Sequence, residues 1–143
     1  MKKLLVALVL SAATLASASV TANQLGQCLV DSLNGKERKE LAKWIYFSMA
    51  AHPDITDFSN ITPADRESTD KAIGALVTRL LGEDCPTQFK AAMAVDPMAT
   101  QRAFELVGQV AMGELMQNEA VTRSISNYAN HMDLSVIQAA AAQ

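Results

Sequence analysis

The sequence predicts an all-α fold: a small irregular bundle of about five or six helices, stapled by one disulfide. Three observations predict it. Apolar residues recur three and four positions apart along most of the chain, and no stretch alternates with the two-residue period of a strand. Most of the few prolines and glycines fall where these runs begin or end, as helix punctuation should. The only two cysteines, Cys28 and Cys85, allow a single intramolecular pairing.

The first residues, "MKKLLVALVLSAATLASASVTA", carry Lys2 and Lys3, then a short apolar core from Leu4 to Leu10, then small residues. That order is the pattern of an export signal, with cleavage expected after Ala18 or Ala22. The apolar core is too short to anchor the chain, and Ser11, Thr14, Ser17 and Ser19 dilute the stretch beyond it. The expected organisation is a cleaved signal over 1–22 and one helical domain over 23–143, located in the periplasm or secreted. No stable membrane insertion is expected after cleavage. In an oxidising compartment an even cysteine count reads as a disulfide. "LGQC" resembles a lipid-attachment box ending at Cys28, but Gln27 stands where a small residue is required, and lipidation would strand Cys85.

The helices come in chain order. "NQLGQCLVDSLNG" sets Leu25, Cys28, Leu29 and Leu33 along one side, with Gly35 expected to make a left-handed turn after it. Asn34 and Glu37 form a capping-box pattern for a helix over about 35–51. That helix contains "WIYFSMAA", with three of the seven aromatic residues at Trp44, Tyr46 and Phe47. Leu41, Ile45 and Met49 share one face, and Trp44, Phe47 and Ala51 share a neighbouring one. Lys36, Lys39 and Lys43 mark the opposite side only in the first half. A helix apolar nearly all round is expected to be the buried centre of the bundle. His52 before Pro53 should end it, lying near its last carbonyls. Thr62, Pro63 and Asp65 begin the next helix, whose stripe is Ile73, Leu76, Val77 and Leu80 and whose end is Gly82. Pro86 and Pro97 start two more. The second of these, about 97–117, turns Phe104, Val107, Ala111 and Leu115 inward, with Gly108 expected to permit close helix contact. From about Glu119, Val121, Ile125, Tyr128 and Met132 recur at helical spacing in a last helix.

Charge excludes one class of function. Removing Lys2 and Lys3 leaves 10 basic against 15 acidic residues, near −5, whereas nucleic-acid binding needs a basic face. Chemistry is sparse as well. His52 and His131 are the only histidines, and neither adjoins a nucleophile motif, so no catalytic residues are assigned and the protein reads as non-enzymatic. No set of three or four zinc ligands is evident. Met98, Met112, Met116, His131 and Met132 offer donors suited to monovalent copper, yet helical methionines usually fill cores. No metal or cofactor is therefore expected.

Two functional readings remain. The first is an exported, non-enzymatic module that binds an unidentified protein partner, as an inhibitor, immunity protein or chaperone-like accessory, itself monomeric or weakly dimeric. Some periplasmic chaperones and toxin-immunity proteins are similar in this outline of an exported, single-disulfide helical domain. The second is a carrier of a small apolar ligand held between helices and lined by Trp44, Phe47, Ile45 and methionines. Trp44, Phe47 and Met49 are the residues assigned to an apolar ligand or partner surface; an enzyme of unrecognised type, or a structural or metal-handling role, are the further alternatives.

Overall fold

A computed structural model describes residues 20–142; positions 1–19 of the expected signal lie outside the described residues. Eight α-helices, a π-helical turn and a 3-10 turn make up the described chain, with no strand among these residues. The all-α class stands, but the count is eight helices rather than five or six. They are α1 (20–32), α2 (Gly35–Met49), α3 (Pro53–Thr56), α4 (Pro63–Arg79), α5 (Pro86–Val95), α6 (Ala99–Met116), α7 (Glu119–Ser126) and α8 (Leu134–Ala141). The extra elements arise at the ends of helices expected to be simple. The segment after α2 restarts as the single turn α3, and the final expected helix breaks at the 3-10 turn Asn127–His131 before Asp133 caps α8.

Local chemistry fixes the boundaries. Asn34 accepts from the Glu37 amide at 3.0 Å, and the Glu37 carboxylate accepts from the Asn34 amide at 3.0 Å, so α2 opens on a complete capping box. Thr62 and Asp65 do the same for α4, with Pro63 in its first turn. Gly35 is simply the first residue of α2. No glycine among the described residues takes a positive φ, so the expected left-handed turn is absent. Gly82 does not close a helix either: α4 widens into the π turn Leu80–Asp84, whose closing bond runs from the Cys85 amide to the Leu80 carbonyl at 2.9 Å. His52 also differs from expectation. Its ring nitrogen accepts from the Asp54 amide at 3.2 Å and starts α3, rather than sitting against the carbonyls that end α2.

The core gathers α1, α2, α4, α5 and α6. Leu25, Leu29 and Leu80 are fully buried, with Leu33, Leu41, Ile73, Leu76 and Val107 close behind. Many of the remaining core residues are alanines: Ala22, Ala42, Ala92, Ala99, Ala103 and Ala111. Small side chains let helix axes approach, and one glycine completes that device. A Cβ on Gly26 of α1 would stand 3.3 Å from the Ala103 carbonyl oxygen and 3.1 Å from Leu106. Gly26, not Gly108, is therefore the close-contact glycine; a Cβ on Gly108 meets nothing within 4 Å. The Cys28–Cys85 disulfide ties α1 to the start of α5, with Cα atoms 6.1 Å apart across 57 positions of sequence. Arg38 joins the start of α2 to α6 through Glu114 at 2.7 Å, and Arg79 joins α4 to Glu37 at 2.9 Å.

Packing is uneven along the chain. α2 packs against α6 and α4, and α5 against α6. The main packed partners of α7 are α6 and the adjoining 3-10 turn, and α8 belongs to none of the main packed pairs. Every described residue from 122 onward is exposed. The helical spacing of Val121, Ile125, Tyr128 and Met132 is real as a pattern, but only Val121 is partly covered; Ile125 is 48% and Tyr128 65% exposed.

Candidate functional site

Its composition predicts that α2 is buried all round, and it is not. Leu41 and Ala42 are buried within it and Ala50 just beyond it, Trp44, Ile45 and Phe47 are half-buried, and Tyr46 and Met49 are about half exposed. The reason is geometric. α4 and α6 are the elements packed against α2, and the side carrying Tyr46 and Met49 stays open to water. The segment is a wall of the bundle rather than its pillar.

The covered side leaves a half-open apolar cleft of about 280 Å³ between α2, α4 and α6. From α2, Leu41, Trp44 and Ile45 face it at i, i+3 and i+4, the spacing that places side chains on one helical face. α4 contributes Ile73 and Val77, also four apart. α6 contributes Phe104, Val107 and Gly108. No charged side chain lines it. The one polar group on a lining side chain is already engaged: the Trp44 indole N–H donates to the Asp70 carboxylate at 2.8 Å. Because Gly108 has no side chain, α6 presents bare backbone at this point and the cleft stays open above it. Wider depressions exist, such as one beside Cys28, but Gln24, Gln27, Asp31 and Gln88 line that one and water satisfies such groups equally well.

The three residues assigned from sequence do not converge. Trp44 lines the cleft; Phe47 and Met49 do not. Phe47 meets Tyr46 edge-on with ring centroids 6.1 Å apart, while its backbone carbonyl accepts from the Arg66 guanidinium. Met49 is exposed to 49%. Ile45, expected with Trp44 to line a ligand space, does line the cleft, no methionine does, and Val77 and Gly108, packing positions by their spacing, complete it. The available signal is the glycine inside an otherwise inward-facing stripe.

A second apolar surface lies on the arm formed by α7, the 3-10 turn and α8. Leu134 is 58% exposed, Val136 63% and Ile137 45%, and α8 contains no charged residue. The methionines also depart from expectation: Met49, Met93, Met98, Met116 and Met132 are all substantially exposed rather than filling the core. No helix among the described residues is long and apolar enough to cross a membrane, and no group of three or more His, Cys, Asp or Glu side chains among them could hold a metal ion.

Comparison with known proteins identifies no relative: no family model, no curated protein and no solved structure matches this chain.

Proposed function

We propose that this is an exported, non-enzymatic helical module that binds another polypeptide through its C-terminal arm. One observation carries the reading. From 122 to 142 no side chain is buried, yet Ile125, Tyr128, Leu134, Val136 and Ile137 are large and apolar. Leu134, Val136 and Ile137 fall within four positions of one helix, and clustered exposed apolar side chains mark an interaction surface. The exposed methionines point the same way, since an unbranched thioether side chain adapts to varied apolar partners. The absence of charge on α8 fits a partner that presents an apolar groove. Export rests on the Lys2, Lys3 and Leu4–Leu10 pattern, and the Cys28–Cys85 disulfide supports it because such bonds persist in oxidising compartments. The non-enzymatic part rests on the two histidines, of which His52 is occupied in capping α3.

The test compares the full chain with one ending at Asn118, each recovered from the envelope of its own cells after brief cross-linking. A defined polypeptide, cross-linked through 119–142 and absent from the shortened chain, is the expected result. Recovery of both chains bare, or of the same polypeptide on both, would remove the arm as the binding element.

A further inference from the structure

We propose that the cleft between α2, α4 and α6 binds one uncharged apolar small molecule, about the size of a bicyclic ring or a medium-length alkyl chain. This site is separate from the arm and does not depend on the polypeptide-binding reading.

The chemistry of the walls selects the class. Three helices supply only apolar side chains and a glycine, and the Trp44 N–H is turned to Asp70 rather than into the space. Protein interiors are otherwise close-packed, and helices meeting over such a surface would normally fill it. Here the helix backbone at Gly108 has nothing within 4 Å of its missing Cβ, so the void is not forced by touching neighbours. Water in an apolar space finds too few partners to bond, whereas an apolar guest gains contacts and releases that water. Size narrows the guest. About 280 Å³ exceeds the ~150 Å³ that suffices for benzene and lies just under the ~300 Å³ where ligand pockets usually begin. Charge narrows it further. A carboxylate or ammonium entering this space would lose hydration with no counter-charge in the walls, so the guest must be neutral where it is enclosed.

Trp44 is the only tryptophan in the chain and stands in the wall, so its emission reads occupancy directly. The full exported chain is titrated with 1-octanol and, in parallel, with octanoate. The expected result is a saturable blue shift with octanol and at least about tenfold weaker binding of octanoate, a step of one decade in the dissociation constant. Gly108→Ala should weaken octanol binding and Gly108→Leu should abolish it, with both variants keeping the far-ultraviolet circular dichroism of the parent. If Gly108→Leu does not fold, Gly108→Ala and the octanol–octanoate contrast still decide. The proposal is overturned by a shift that never saturates, by equal affinity for octanoate, or by undiminished binding in folded Gly108 variants. It also falls if octanol binds only to the chain ending at Asn118, because the arm would then be the occupant of the cleft.

Discussion

Trp44 is held by two unlike interactions, and each predicts part of its contribution. Its ring is half-buried against α4 and α6, and its indole nitrogen is bonded to Asp70 across 26 positions of sequence. A fully buried aromatic truncated to alanine typically costs ~3–5 kcal/mol, most of it from the cavity left behind. Around Trp44 the cavity already exists and is open, so removing the ring enlarges a space that water can enter from the mouth. Trp44→Ala is therefore expected to destabilise by about 1–3 kcal/mol, within the ordinary range for single substitutions. Urea unfolding of the two proteins checks this. A loss of about 4 kcal/mol or more would mean that the ring is a closed core residue and that no cleft persists in solution. At this scale the sequence is legible wherever a residue acts on its own backbone. Asn34, Glu37, Thr62 and Asp65 cap as their types dictate because the groups they satisfy lie within three positions. It is illegible for the glycines, since whether Gly26 or Gly108 is the close-contact residue depends on which helix lies opposite, and that is a property of distant residues.

Among the elements, α4 carries the clearest electrostatic device. The Asp65 carboxylate accepts from the Thr62 hydroxyl at 2.6 Å and from the Thr62 amide at 2.9 Å. Both bonds favour the ionised form, the hydroxyl bond most, and they hold the Asp65 carboxyl below its ordinary range despite a small opposing effect of burial. Linkage sets the sign. A carboxylate whose pKa is lower in the folded than in the unfolded chain contributes its stability in full above the unfolded value and loses it as pH falls through the folded one. The first turn of α4 should thus be firm at neutral pH and loosen only in acid, below the usual aspartate range. Amide exchange at Thr62 and Asp65, followed down in pH, should rise in that window. In Asp65→Asn the same amides should exchange faster at neutral pH and show no such transition; a transition that persists in the variant would assign it to another group. The helices announced by caps and stripes, α1, α2, α4, α5 and α6, are legible because start signal, stripe and core face agree. α3 is not, since four residues are too few to show a period. The arm defeats a sequence reading for a deeper reason: helical spacing of Val121, Ile125, Tyr128 and Met132 reports that a face exists, not that anything within the chain covers it.

Over the whole molecule, the disulfide and the packing of α1 jointly constrain where a chain cleaved as proposed could begin. Closing a loop between Cys28 and Cys85 removes unfolded-state freedom equivalent to roughly 4 kcal/mol in the chain-entropy model. The native state can accommodate that staple without strain only with α1 seated, and the seat extends upstream of the disulfide. Ala22 is 2% exposed and belongs to the core cluster with Leu25 and Leu29, while Val20, two positions earlier, is 54% exposed. Small-residue cleavage patterns end at both Ala18 and Ala22. Cleavage after Ala22 would remove a core side chain and the first described residues of α1, and would put a positive α-amino group at the positive end of the helix dipole. Cleavage after Ala18 leaves the described helix whole. Export as proposed therefore carries an expected N-terminus at Ser19, with both cysteines oxidised. N-terminal sequencing and intact mass of the protein recovered from the periplasm or medium check both at once. A chain beginning at Asn23 would show that α1 folds without Ala22, and a chain retaining Met1 in that fraction would overturn processing altogether.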